Sequence, residues 1–113
     1  MIDQITPAQF NDWLAAQDAG VQPLVLDVRE AWEVQMAHIQ ANGFEVVHMP
    51  MQTVPARLQD LPTDRPIACL CHHGARSMQV AMFLAQRGFD RVANIAGGIH
   101  AWSMQVDPSV ATY

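Results

Sequence analysis

One stretch in the middle of the chain constrains the fold more than any other. Residues 66–70 form an unbroken apolar run, a cysteine-containing turn follows, and residues 78–85 have the composition of a helix. An unbroken apolar run favours a strand that is buried on both faces, as in a parallel sheet. This order therefore predicts a buried strand, a tight turn and a helix whose N-terminus faces the turn.

The turn carries a cysteine at a place where an anion is stabilised. It consists of Cys71, His72, His73, Gly74, Ala75, Arg76 and Ser77. The first N–H groups of a helix lack intrahelical partners and form the positive end of the helix dipole. Because these groups stabilise an anion, they favour the thiolate, which is the reactive form of cysteine. The turn is therefore predicted to be a small anion-binding cup with Cys71 as its nucleophile.

The rest of the chain repeats this alternation of strands and helices. Strands are predicted at residues 2–5, 23–28, 44–49, 67–70 and 91–95, and helices after Thr6, at 30–37, 51–61 and 77–87, and after Gly98. The alternation predicts an α/β domain with a central, mainly parallel five-stranded sheet flanked by helices. Ligands of such sheets bind at the carboxyl ends of the strands, where Asp27 and Cys71 each close a buried strand.

Size and charge narrow the possible partners. The chain has 113 residues, half of them hydrophobic, which predicts one domain over residues 1–113 with a looser polar tail from about residue 105. The net charge is −5 and no basic cluster is present, which argues against nucleic acid as a partner. The sequence shows neither a membrane-length apolar run nor a secretory signal, so we expect a cytoplasmic protein without a membrane partner.

Metal ions and cofactors are not expected. Two cysteines are too few for a cysteine-only zinc site, and the adjacent His72 and His73 are not expected to share one metal. Cys69 is expected to be a core residue, because a disulfide to Cys71 two positions along the strand would be strained. The histidines outside the turn are interpreted as structural residues: His38, His48 and His100. The tryptophans are expected to lie in or near the core: Trp13, Trp32 and Trp102.

Three motifs in order resemble the single-domain rhodaneses, a family of sulfurtransferases. The first motif runs from Asp27 to Glu30 and continues with Glu33 and with residues 38–39; the second is the Cys71–Ser77 turn, and the third is residues 97–102, with their paired glycines and Ala-Trp. Together they cover nearly the whole chain. Residues 37 and 40–43 depart from the family's usual Gly and Pro-Gly-Ala, which affects a turn outside the catalytic loop.

The resemblance implies a three-layer rhodanese fold and a sulfur-transfer reaction without a cofactor. A sulfane sulfur would pass from thiosulfate or another small anionic donor to a thiol or cyanide, through a persulfide on Cys71. Amides of residues 72–77 would hold the donor, and Arg76 would orient it through a charge-assisted fork. Asp27 is expected to brace the loop, pair with an arginine or cap its strand, and Arg29 to be a salt-bridge partner.

Two other functions remain open. The domain could be a carrier that receives a persulfide from a partner protein and reacts poorly with free thiosulfate. A phosphatase or arsenate reductase on the same fold would have five residues between its cysteine and arginine, whereas four separate Cys71 from Arg76. The shorter loop makes a smaller cup, which favours a single sulfur atom over a tetrahedral oxyanion.

Overall fold

Five strands form one parallel sheet in the computed structural model, which describes residues 2–113. The strands are β1 (Asp3–Ile5), β2 (Leu24–Asp27), β3 (Glu45–His48), β4 (Ile67–Leu70) and β5 (Val92–Ile95). They lie in the order β1-β5-β4-β2-β3, and every pair is parallel. The predicted α/β sheet is confirmed, with the apolar strands β2, β4 and β5 in the middle.

Four α-helices connect the strands: α1 (Phe10–Ala15), α2 (Ala31–Met36), α3 (Ala75–Gln86) and α4 (Gly98–Gln105). The helix predicted over residues 51–61 is wrong, because the structure has two 3₁₀ segments there, Met51–Thr53 and Pro55–Asp60. Pro55 is the first residue of the second segment, a position where a helix does not need the N–H that proline lacks. Within that segment Arg57 leaves helical geometry, with φ −112° and ψ 18°, so no continuous α-helix forms.

Alternate side chains of the central strands fill two cores, one on each face of the sheet. Leu26 of β2 and Cys69 of β4 pack on the face that α3 covers through Val80 and Leu84. The opposite core holds the intervening strand residues together with Phe10 of α1 and Trp102 of α4. Because successive residues of a strand point to opposite faces, a run that is apolar throughout supplies both cores. The result is the predicted three-layer arrangement.

One expectation about the periphery is wrong. Trp32 is 60% exposed instead of packing in or near the core, because it lies on the outer face of α2, where its ring meets that of Tyr113 edge-on. The chain beyond residue 105, where a looser tail was expected, makes contacts with the rest of the domain. Val110 is buried, its carbonyl accepts a hydrogen bond from Ser103 Oγ at 2.7 Å, and Tyr113 returns to the carboxyl edge of the sheet.

Candidate active site

The carboxyl ends of β2 and β4 lie side by side and bring the predicted site residues to one edge of the sheet. Asp27 is opposite Leu70, and the next amide, of Val28, donates to the Leu70 carbonyl at 3.0 Å. Cys71 therefore begins its turn directly beside the turn that follows Asp27. The expectation that the two residues share this edge is confirmed.

The Cys71 side chain lies at the floor of its loop. Its Sγ accepts a hydrogen bond from the Gly74 N–H at 3.1 Å, and the residue is only 1% exposed. Gly74 is the N-cap of α3 and has φ +106°, a conformation that strongly favours glycine. The loop therefore curls so that the Gly74 N–H, at the start of a 12-residue helix, points at the sulfur.

Ser77 and Asn94 form a buried polar support beneath the loop. Ser77 Oγ lies 2.5 Å from Asn94 Oδ1 and 3.3 Å from Cys71 Sγ. The Asn94 amide donates to the Gly74 carbonyl at 3.2 Å and to Gln4 at 3.0 Å. Sequence analysis missed Asn94, although a polar residue inside the apolar β5 was a signal that something specific holds it there.

The paired glycines before α4 let that helix approach the back of the loop. Ile99 donates its N–H to the Cys71 carbonyl at 2.9 Å, and His100 donates to the His72 carbonyl at 3.1 Å. A Cβ on Gly98 would lie 2.4 Å from the His72 oxygen and 2.5 Å from the Cys71 oxygen. The family-like glycine pair therefore serves the site by permitting this close contact between backbones.

Arg76 uses its guanidinium fork on Glu33 of α2. Its two terminal nitrogens donate to the two Glu33 oxygens at 2.7 and 2.8 Å, and the Glu33 side chain is only 4% exposed. These hydrogen bonds lower the pKa of Glu33 to about 2, against the opposing effect of burial, and they raise the pKa of Arg76. The Arg76 guanidinium, which was predicted to bind an anionic donor, thus binds a carboxylate of the protein. A contact between Arg76 and the sulfur donor stays a prediction.

Asp27 and Arg29 form a second, fully buried pair. Arg29 Nε and Nη2 donate to the Asp27 oxygens at 2.9 and 2.7 Å, and Nη2 also donates to the Ala37 carbonyl at 2.8 Å. Burial opposes the charge of Arg29, but hydrogen bonds to Asp27 and Tyr113 outweigh it, so its pKa is raised. The structure thus pairs Asp27 with an arginine, one of the three roles expected for it.

Tyr113 joins the two ion pairs and contacts the loop. Its hydroxyl donates to Glu33 Oε2 at 2.8 Å and accepts from Arg29 Nη1 at 3.0 Å. Its ring stacks on His72, with centroids 3.9 Å apart and planes 8° from parallel. Sequence analysis missed this residue, because nothing local distinguishes a tyrosine in a polar tail from a solvent-exposed one.

The loop histidines face different surroundings. Burial, with the neighbouring His73 adding to it, lowers the pKa of His72, whereas the His73 side chain is exposed. His48 is structural, as expected, since its Nε2 hydrogen-bonds the Arg29 carbonyl at 2.7 Å. His100, which was also interpreted as structural, lies beside both loop histidines.

Cys69 differs sharply from Cys71. It is completely buried in the core under α3, and burial raises the pKa of its thiol. Neither cysteine is in a disulfide. A thiol with a raised pKa stays neutral and is a poor nucleophile, so Cys69 matches the expected core residue.

The fold and site define an α/β domain that holds one cysteine in a glycine-capped loop at the carboxyl edge of a parallel sheet. The family model for the rhodanese-like domain matches residues 6–105. The chain belongs to this family of sulfurtransferase-type domains.

Individual relatives agree with the family match. A protein of Allochromatium vinosum described as a sulfurtransferase is 32% identical over 111 residues, which cover 98% of this chain and 97% of that protein. A rhodanese-like/PpiC domain-containing protein of Arabidopsis thaliana is 41% identical over 93 residues, 79% of this chain but only 30% of that protein. The crystal structure of a Staphylococcus aureus rhodanese-like domain protein has a TM-score of 0.75 at 28% identity and covers 99% of both chains.

The helices of this fold are short. Across residues 2–113, none combines the length and the apolar character needed to cross a membrane.

Proposed function

We propose that this domain transfers a sulfane sulfur from thiosulfate, or a similar small anionic donor, to a thiol or cyanide through a persulfide on Cys71. The observation that supports this most is the hydrogen bond from the Gly74 N–H to Cys71 Sγ at 3.1 Å, in a loop that leads directly into helix α3. Membership of the rhodanese-like family supports the same reaction class.

The reaction has two displacements. The Cys71 thiolate attacks the outer sulfur of thiosulfate; the new bond joins Sγ to that sulfur, and sulfite leaves with the electron pair of the broken S–S bond. A thiolate or cyanide then attacks the outer sulfur of the persulfide, and the Cys71 thiolate is regenerated. No general base is needed when the thiolate is present at the start, and loop amides stabilise the negative charge in both steps.

The surroundings of Cys71 favour a small donor. The residue lies at the bottom of its loop, so the sulfur that reacts must enter between backbone groups. Arg76 and Glu33 neutralise each other beside the loop, which leaves the amides as the main anion-stabilising groups. The residues proposed to hold the donor are those of the loop: His72, His73, Gly74, Ala75, Arg76 and Ser77. Two free cysteines also fit a reducing compartment such as the cytoplasm.

Intact-mass spectrometry after incubation with thiosulfate tests the proposal. We expect a gain of one sulfur atom on the wild type, no gain on Cys71→Ser, and an unchanged gain on the matched control Cys69→Ser. Addition of cyanide should remove the extra mass and release thiocyanate. A Cys71→Ser variant that still gains sulfur, or a wild type that forms no persulfide with any small donor or protein persulfide, would refute the mechanism.

A protein persulfide carrier is the second candidate, since a similar rhodanese-like domain forms only part of a larger protein of Arabidopsis thaliana, of which the match covers 30%. Transfer from a protein persulfide that is fast, together with a very low kcat/KM for thiosulfate, would favour this role. Hydrolysis of an aryl phosphate without persulfide formation would instead favour a phosphatase, which the four-residue spacing from Cys71 to Arg76 argues against.

A further inference from the structure

Three histidines converge beside the Cys71 loop. One ring nitrogen from each of His72, His73 and His100 lies within 4.8 Å of the other two. The first two residues belong to the loop, whereas His100 lies in the first turn of α4, 27 positions further along the chain. The sequence gives no spacing signal for this cluster, because its members meet only when α4 packs behind the loop.

The backbone holds the two segments of the cluster together. The His100 N–H donates to the His72 carbonyl at 3.1 Å, and the preceding Ile99 N–H donates to the Cys71 carbonyl at 2.9 Å. Gly98 permits this contact, since a Cβ there would collide with the same carbonyl oxygens. The main chain at the three histidines is therefore in place before any ligand binds, which reduces the entropy that binding costs.

Two of the ring nitrogens are buried and without a partner. Among residues 2–113, neither His72 Nε2 nor His100 Nδ1 has a hydrogen-bond partner of normal geometry, although both atoms are inaccessible to solvent and the Tyr113 main chain lies near the His72 ring. A buried polar atom without a partner is costly, and such atoms in folded proteins often mark the place of a ligand or an ion. The Tyr113 ring, stacked on His72, fixes the plane in which the His72 nitrogen points.

The charges around the cluster also permit a cation. The nearest arginine, Arg76, is neutralised by the bidentate contact with Glu33 at 2.7 Å.

Contrary to the expectation from sequence that the adjacent His72 and His73 do not share a metal, we propose that these two residues and His100 bind one divalent transition-metal ion of the zinc type and leave a fourth coordination position open. Neutral imidazoles suit zinc, copper and nickel, and sites with three protein ligands keep a position for water or another ligand. Tetrahedral coordination at about 2.0–2.1 Å places the nitrogens about 3.3 Å apart, which requires side-chain rotation from the present arrangement. The His73 side chain is exposed, so it has room for that rotation on leaving the His72 ring, whose centroid is 3.9 Å away. This site does not depend on the proposed sulfur transfer.

The test measures zinc binding to protein without an affinity tag in a Cys71→Ser background, so that neither a polyhistidine tag nor the loop thiol binds the metal. Calorimetric titration with zinc chloride at pH 7 should give one site per chain. Cobalt(II) should give the strong visible absorption of a four-coordinate ion. His73→Ala and His100→Ala should each weaken binding at least tenfold, since loss of a group that merely orients a ligand already costs about 10–100-fold. His38→Ala, which removes an exposed histidine elsewhere, should bind zinc as the background does.

Each outcome decides for or against the site. One zinc per chain that is lost in both cluster variants and kept in His38→Ala supports it, and circular dichroism confirms that the variants are folded. His73→Ala changes only an exposed side chain, so it remains informative even when His100→Ala unfolds. No zinc binding in the Cys71→Ser background overturns the proposal, as does binding that His73→Ala leaves unchanged. Absence of a persulfide on the wild type, together with one zinc per chain in the Cys71→Ser background, would refute only the proposed function.

Discussion

The carboxylate of Glu33 should contribute more to stability than any exposed ion pair of this domain. It accepts two hydrogen bonds from Arg76, one from the Tyr113 hydroxyl and one from the Glu30 N–H at 3.0 Å. A fall in pKa from 4.5 to about 2 corresponds to about 3 kcal/mol of native-state stabilisation at neutral pH, at about 1.36 kcal/mol per pH unit. Glu33→Gln removes the charge and keeps the shape, so it should lower the free energy of unfolding by up to about 3 kcal/mol.

The loss should depend on pH in a defined direction. Because the native pKa of Glu33 is lower than the unfolded one, the stabilisation is complete above about pH 5 and disappears as the pH falls through about 2. The difference between wild type and Glu33→Gln should therefore be largest near pH 7 and shrink steadily in acid. Urea unfolding at several pH values measures it; with m of about 1–3 kcal/mol/M, the midpoint at pH 7 should fall by about 1–3 M.

A matched control separates burial from charge. Glu45 forms an ion pair with Arg65 at 2.8 Å, but its side chain is 47% exposed. Glu45→Gln should therefore cost no more than about 1 kcal/mol. A Glu33→Gln variant that loses as little as Glu45→Gln, or whose loss is the same at pH 3 and pH 7, would show that the buried pair does not stabilise the domain as argued.

Two further substitutions test the loop and the core. Gly98→Ala should lower the free energy of unfolding by about 2–4 kcal/mol and reduce persulfide formation, because its Cβ would lie 2.4 Å from the His72 oxygen at a residue with φ +61°. The control Gly88→Ala has φ +95° and no atom within 4 Å of its Cβ, so it should cost only the backbone strain of about 1–2 kcal/mol. Equal losses of stability in the two variants would contradict the steric argument. Cys69→Ser should lose about 1–3 kcal/mol by burying a hydroxyl, and a large loss of persulfide formation by mass spectrometry would instead show that this thiol takes part in the reaction.

The elements that the sequence predicts well are those whose signal is local. The strands β2, β4 and β5 are apolar apart from Asp27 and Asn94, which is typical of strands covered on both faces, and the structure buries every residue of these strands. The tight turn predicted after β4 is present, with Gly74 at positive φ. Residues 51–61 were predicted less well, because a helical composition does not reveal that Pro55 and Arg57 divide the segment into 3₁₀ turns.

The parts of the site that the sequence did not reveal depend on contacts between distant residues. Glu33, Asn94 and Tyr113 acquire their roles from partners 17 to 80 positions away. A carboxylate on a short helix and a tyrosine in a polar tail look like surface residues when only their neighbours in sequence are considered. Arg76 shows the same limit, since its spacing from Cys71 is visible but its pairing with Glu33 is not.

The Ser77 hydroxyl has one hydrogen, and three acceptors lie within its reach. Asn94 Oδ1 is at 2.5 Å, while Cys71 Sγ and the Gly74 carbonyl are each at 3.3 Å. Rotation about a single C–O bond is enough to turn that hydrogen from the amide oxygen to the sulfur. In the proposed cycle, the charge resides on Sγ in the resting thiolate and moves to the outer sulfur in the persulfide. A rigid pocket can therefore adjust its hydrogen bonding to the position of the charge in both stages by reorienting one proton, without displacing any heavier atom.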